Sequence, residues 1–335
     1  MKFIQKILLI LLITINIHAI ELNKNLILDM GRTYGYYVGQ TYALDSIEKK
    51  YPNLKNDVFL VKNEFDLKYL KSLKEIEKNF SKHMTKKQWD EFKANTKKKI
   101  KEQLNYDYIS QQDALNFIQE VKTRATGNIE SPVIETLLMF NQTYQKNPIS
   151  ELSDNFFQKY NSKDNPKAKG VNFTVKAPRS WKSEEANRPN IVRKFGSNNG
   201  YIVDDKFMEN IMIGVYDLPI QVNSLTQQDI TEICNDIPEN SILRECKKTE
   251  LENLPVVIQR IKMNMSRLEN SMTIEVIQYN IYFKNKLVMI QGQVGTMNDK
   301  ISEKTLLERF EKFKPVFNYV ANSLVINDLY RKGIK

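Results

Sequence analysis

The chain has 335 residues, 41% hydrophobic and 27% charged, with 50 Lys plus Arg against 40 Asp plus Glu and a formal net charge of +10. That length predicts two domains, at about 100–200 residues each. The charge is interleaved with acids in most windows, and with no recognisable nucleic-acid motif present, nucleic acid is excluded as an expected partner.

The first 19 residues have the layout of a secretory signal peptide. Lys2 and Lys6 precede an apolar stretch from Ile7 to Ile17, and Ile17-His18-Ala19 offers a small residue at a cleavage point. The apolar run is shorter than the roughly 20 residues that a membrane helix needs, and no second run of that kind follows. The expectation is an exported chain, periplasmic or extracellular, that begins near Ile20 and has no transmembrane span after cleavage. Export would remove ATP, GTP and reduced nicotinamides as ready co-substrates and would permit disulfides.

Residues 20–161 read as a helical domain. Its first helix, Leu26 to Lys50, carries Gly31, Gly35 and Gly39 at four-residue spacing, hence on one face. Each glycine costs about 1 kcal/mol of helix propensity. A stripe of three therefore predicts either close packing by another helix or a groove for a partner or ligand lined by Tyr34, Tyr37 and Tyr42. Pro52 and Asn53 interrupt the pattern. A long helix follows from Asp57 to Met84, with Val58, Val61, Phe65, Leu73, Ile76 and Phe80 inward. Thr85 is placed to cap a helix from Lys86 to Tyr106, with Trp89, Phe92, Thr96, Ile100 and Leu104 as its buried stripe. Its other faces are the most basic in the chain and include Lys97, Lys98 and Lys99. They read as a solvated surface or as a docking face for something anionic. Ser110 with Asp113 forms a capping box for the next helix, and Ser131-Pro132 starts another.

Residues 162–170 are polar and turn-rich and are expected to link the domains. Beyond them the period changes from helix to strand. Strands are expected at 171–175, 191–195, 210–216, 256–265, 272–283 and 287–295, the last two joined by a turn at Asn285-Lys286. Thr226 with Asp229 caps a short helix ending near Cys234. A final amphipathic helix runs from Ser302 or Glu303 to about Ser323, with Leu306, Phe310, Phe313, Phe317, Val320 and Leu324 on its apolar face. The fold class expected is α+β: an all-helical N-terminal domain followed by an antiparallel sheet with packed helices over 171–328.

Gly170-Val171-Asn172-Phe173-Thr174-Val175, then Pro178-Arg179-Ser180-Trp181, the strands at 191–195 and 211–215, the helix before the hairpins and the closing helix together resemble the Mog1/PsbP-like superfamily, over roughly 170–326. The resemblance implies binding and assembly work more often than catalysis, and it brings no catalytic residue with it.

Cys234 and Cys246 are the only cysteines. In an oxidising compartment they are expected to form one disulfide, stabilising by about 3 kcal/mol on the chain-entropy model. No cofactor, metal centre or catalytic constellation is expected. His83 is the only histidine beyond the leader, and Ser46 with Lys49 matches a serine-lysine spacing common in any Lys-rich helix. Asp204/Asp205 and Glu250/Glu252 are the carboxylate pairs available to a hydrolase of envelope polymers. Asn198, Asn199, Asp204 and Asp205 offer oxygens without the spacing of an EF-hand. Trp181 beside Arg179 is either a core anchor or a wall of a small-molecule pocket. The function these readings converge on is an exported, non-catalytic binding or assembly protein of the bacterial envelope. Its partner would be an envelope or secreted protein, or an anionic surface.

Overall fold

The structure is a computed structural model and describes residues 19–103, 109–127, 131–197, 207–267, 270–297 and 300–330. The leader before Ala19, His18 included, lies outside them, as do Asn198, Asn199, Asp204 and Asp205. The chain divides into two compact units between Lys146 and Asn147.

The first unit is helical. It comprises α1 (Ala19–Lys50), α2 (Lys55–His83), α3 (Lys86–Gln103), α4 (Gln111–Ala125), α5 (Pro132–Met139) and α6 (Gln142–Lys146). The caps fall where the sequence puts them. Ser110 Oγ accepts from Asp113 N at 3.1 Å, and Ser131 accepts from Val133 N with Pro132 at the first turn. Thr85 Oγ1 accepts from Gln88 N at 3.3 Å, while Thr85 N donates to Gln88 Oε1 at 2.9 Å. The core gathers Met30, Leu44, Val58, Phe65, Tyr69, Ile76 and Phe80, all at 3% exposure or less. Phe80 and Trp89 stack at 4.7 Å and Trp89 and Phe92 at 5.4 Å, so aromatic rings fill the junction of α2 with α3.

The second unit begins with α7 (Ile149–Ser153) and β1 (Phe157–Asn161), then β2 (Phe173–Pro178), β3 (Lys182–Glu184), β4 (Ile191–Ser197) and β5 (Met208–Asp217). Next come α8 (Gln227–Asn235), β6 (Ser241–Leu251), β7 (Leu254–Arg267), β8 (Asn270–Phe283), β9 (Lys286–Thr296), α9 (Glu303–Asn322) and β10 (Val325–Ile326). Two antiparallel sheets result, one ordered β1-β2-β10 and one ordered β3-β4-β5-β9-β8-β7-β6. The fold class is α+β, as expected from the change of period.

Helix α9 lies in the main core of this unit with Phe173 and Val175 from the small sheet and Ile211, Ile277 and Ile290 from the large one. Its approach is close at Gly292, where a Cβ would stand 2.3 Å from Cγ of Phe317. The opposite face of the large sheet carries two separate apolar clusters, one around Tyr216, Ile233, Val257 and Met289, the other around Ile261, Met263, Met272 and Ile274.

Three expectations are corrected. The helical pattern is expected to reach about Tyr160, yet 157–161 pair with 174–178 as β1. Residues 162–170, expected as a linker between domains, therefore form the β1–β2 connection inside one sheet. Asn165 caps a short turn there by accepting from Lys167 N at 3.0 Å. The β8–β9 turn sits one residue earlier than expected. Phe283 pairs with Lys286, leaving Lys284-Asn285 at the corner with Lys284 at φ 55°. The 11-residue β6 had no counterpart in the periodicity, because five of its residues are charged and six are exposed. It pairs with β7 through a two-residue turn, Glu252-Asn253, with both residues at positive φ (53° and 63°).

Candidate functional site

The Pro178-Arg179-Ser180-Trp181 corner is the most constrained loop that the sequence singled out. Glu151 on α7 reaches it from below. Its Oε1 accepts from Ser180 N at 2.7 Å and its Oε2 accepts from Ser180 Oγ at 2.7 Å. Gln158 on β1 donates from Nε2 to the carbonyls of Pro178 (2.8 Å) and Trp181 (2.5 Å). Trp181 is buried and meets Phe313 of α9 at 6.1 Å between ring centroids. Arg179 is buried beside Glu151. Burial pushes the Glu151 carboxyl up to about 7, against the opposing pull of the Ser180 hydroxyl and amide and of Arg179. The corner is thus cross-tied to α7, β1 and α9, and Trp181 is a core anchor.

Neither of two cavities formed by the described residues of this unit is lined by Trp181 or Arg179. One of about 230 Å³ opens between β6 and the end of α9, lined by Glu245, Lys247, Tyr279, Lys314 and Asn318. Another of about 400 Å³ is lined by Ser162, Asp164, Asn165, Val171 and Asp328 at the β1–β2 connection.

The glycine stripe is brought against the predicted stripe of α3. A Cβ at Gly31 would stand 3.8 Å from Phe92 Cζ, one at Gly35 3.8 Å from Thr96 Cγ2 and one at Gly39 3.9 Å from Ile100 Cδ1. Helices α1 and α3 are thus in contact along this face. Tyr34 packs edge-on against Trp89 at 5.0 Å. Tyr37 donates to Asp66 Oδ1 at 3.1 Å, and burial with that carboxylate lifts its hydroxyl to about 12. Lys97, Lys98 and Lys99 lie exposed on the outer face of α3, with Lys98 3.9 Å from Glu102.

Cys234 and Cys246 are joined, with Cα atoms 5.8 Å apart, and clip the end of α8 to β6. Ser46 Oγ donates to the carbonyl of Tyr42 at 2.8 Å and so is bonded to its own helix. Glu250 and Glu252 sit at the tip of the β6–β7 hairpin, and Tyr330 donates to Glu252. Among the described residues no cluster of three or more His, Cys, Asp or Glu is placed to hold a metal. No described helix is long and apolar enough to cross a membrane.

Three buried polar features carried no usable sequence signal or a faint one. Arg309 of α9 donates to Glu209 of β5 at 2.8 Å, with both side chains at 8% exposure or less. Its guanidinium lies 5.3 Å from Phe207 and 5.0 Å from Phe313. Glu275, fully buried, accepts from Arg244 at 3.0 Å. Arg244 also reaches Glu303, which Lys262 meets at 2.6 Å, and these two cations hold the Glu303 carboxyl down to about 2. The third feature is a belt of buried amides between the two apolar clusters. Gln278 donates to Asn280, Asn280 to Gln259 and Gln259 to the Ile233 carbonyl of α8, each at 2.8 Å. Only the belt left a trace in the sequence, as amides recurring at every second strand position.

No protein-family model matches the chain, and no curated protein matches it. Among solved structures the chain is similar to PsbP (CyanoP) from Synechocystis sp. PCC 6803, with 14% identity over 51% of this chain and 92% of that one and a TM-score of 0.32. It is also similar to LpqN, described as involved in cell envelope biogenesis of Mycobacterium tuberculosis, with 11% identity over 52% of this chain and 92% of that one and a TM-score of 0.30. A protein of Bacteroides thetaiotaomicron VPI-5482 is similar at 12% identity over 46% of this chain and 44% of that one, with a TM-score of 0.28. PsbP-like structures are thus found, at low identity and over about half of the chain, and they concern the fold rather than an activity.

Proposed function

We propose that this chain is an exported, non-catalytic binding or assembly protein of the bacterial cell envelope. The observation that carries the reading is the Cys234–Cys246 bond. It uses every cysteine in the chain, and such a bond persists in oxidising compartments rather than in the cytosol. The leader-like first 19 residues point to the same compartment. The named site candidates support binding rather than turnover. Trp181 and the glycine stripe pack inside their own units, and the lysines of α3 are exposed and within reach of a partner.

The test is fractionation of bacterial cells producing a C-terminally tagged chain, with intact-mass analysis of the product. The expected product starts near Ile20, lies outside the cytoplasm and contains a cystine. A full-length cytoplasmic chain with two free thiols would sink the reading. Cross-linking and capture from the same cells then compares the parent with the Lys97→Glu/Lys98→Glu/Lys99→Glu variant. A reproducible envelope partner lost in the variant supports the role assigned to α3.

A further inference from the structure

The outward face of α2 combines exposed apolar side chains with lysines. At 100° per residue, Leu60, Leu67, Lys71, Lys74 and Lys78 fall within a sector of about 60° and extend over about 27 Å of helix. The opposite side is the buried stripe of Val58, Val61, Phe65, Tyr69, Ile76 and Phe80. Leu67 is 86% exposed and Leu60 63%, with Phe59 beside them at 62%. Burying these three against the bundle would have been the ordinary use of such residues, yet the helix turns them to solvent. Lys71 and Lys74 are exposed and make no ion pair among the described residues, whereas Lys78 lies 3.8 Å from Glu75. The charge continues into α3. Residues 71–101 hold eleven lysines against four acids, a net +7 out of the chain's +10.

We propose that this face docks on a lipid surface bearing anionic headgroups. Leu60, Leu67 and Phe59 would enter the boundary between headgroups and acyl chains, while Lys71, Lys74 and Lys78 would pair with the headgroups. Aliphatic lysine stems suit this position, since they lie along apolar surface while the ammonium stays at the charged layer. A soluble acidic partner would need the lysines but would give exposed Leu67 no apolar layer to enter. The proposal rests on the envelope reading for its biological setting, but not for its chemistry.

The experiment is co-sedimentation of the form beginning at Ile20 with vesicles of phosphatidylcholine alone and of phosphatidylcholine with an equal share of phosphatidylglycerol. Binding is expected on the anionic vesicles and to fall as salt is raised. Lys71→Gln/Lys74→Gln/Lys78→Gln is expected to weaken it about a hundredfold, at about 1 kcal/mol per lysine. Leu60→Asn/Leu67→Asn is expected to weaken it about tenfold while leaving the salt dependence in place. All five positions are exposed, so far-UV circular dichroism should match the parent. Equal binding to neutral and anionic vesicles, no binding to either, or an unchanged lysine variant overturns the proposal. Loss in the lysine variant with full binding by the leucine variant also overturns it, because that pattern describes a polyanion site without an apolar layer. Vesicle binding in a chain that proves to be cytoplasmic would refute the envelope reading and leave the docking face standing.

Discussion

The same substitution, glycine to alanine, should have opposite signs in the two units. At Gly292 the added carbon would stand 2.3 Å from Cγ, 2.5 Å from Cδ1 and 2.8 Å from Cβ of Phe317. Carbon atoms pack at about 3.5–4.0 Å, so the ring and the helix carrying it would have to withdraw by more than an ångström. Phe317 is 1% exposed and meets Phe310 at 5.9 Å, which leaves it little room. Overpacking of a dense core costs about 1–3 kcal/mol and here belongs at the upper end. Replacing glycine within a strand returns about 0.5–1 kcal/mol, for a net loss of about 2 kcal/mol. At Gly35 the added carbon would stand 3.8 Å from Thr96 Cγ2, an ordinary contact. The helix gains about 1 kcal/mol of propensity there and nothing is displaced. Each unit holds one tryptophan, Trp89 or Trp181. Urea unfolding followed by fluorescence in Trp181→Phe and Trp89→Phe backgrounds therefore reads the helical unit and the sheet unit separately. Gly292→Ala should lower the midpoint of the sheet unit, and Gly35→Ala should raise that of the helical unit. Thermal shifts should run at about 2–4 °C per kcal/mol. A Gly292→Ala midpoint at or above the parent's, or a Gly35→Ala midpoint below it, would refute the packing argument.

The raised Glu151 carboxyl makes the sheet unit pH-dependent with a defined sign. A carboxyl that holds its proton more tightly when folded contributes stability below its unfolded value near 4.5, and that stability is lost as pH rises to about 7. The change is on the order of 3 kcal/mol. Glu151→Gln should flatten the dependence over this interval when denaturation midpoints are measured across pH, and an unchanged slope would assign it elsewhere. Arg309→Met should cost about 3–5 kcal/mol by leaving Glu209 buried without its cation, and adding Glu209→Gln should recover part of that in a double-mutant cycle. Cys234→Ser with Cys246→Ser should lose about 3 kcal/mol, and a reductant should bring the parent to the same midpoint. A parent indifferent to reductant would mean that the cystine contributes nothing to the native state.

Most of the elements were legible because they obey local rules. Ser110, Ser131 and Thr226 cap helices through side-chain oxygens, as their positions before apolar-periodic runs require. The glycine stripe of α1 and the aromatic stripe of α3 were each readable, but their meeting is tertiary and lies beyond periodicity. Strand β6 escaped because an edge strand with charged residues on much of its surface has no apolar alternation to display. Strand β1 escaped because Phe157-Gln158-Lys159-Tyr160 fits a helix as well as a five-residue strand. Glu151 gave no sign at all: an acid in a short helix reads as solvated until the loop that covers it is in place. The same is true of Glu209 and Arg309, 100 positions apart in the chain.

The large sheet ends on one side at three-residue β3 and on the other at 11-residue β6. An exposed strand edge is a template for pairing with another chain. β6 presents Arg244, Lys247, Lys248 and Glu250 to solvent, is kinked where its register shifts between Leu243 and Glu245, and is held to α8 by the cystine. These features work against edge-to-edge growth. The Cys234–Cys246 bond, by tying β6 to α8, thus holds the sheet's long edge in place as well as closing a loop of the chain.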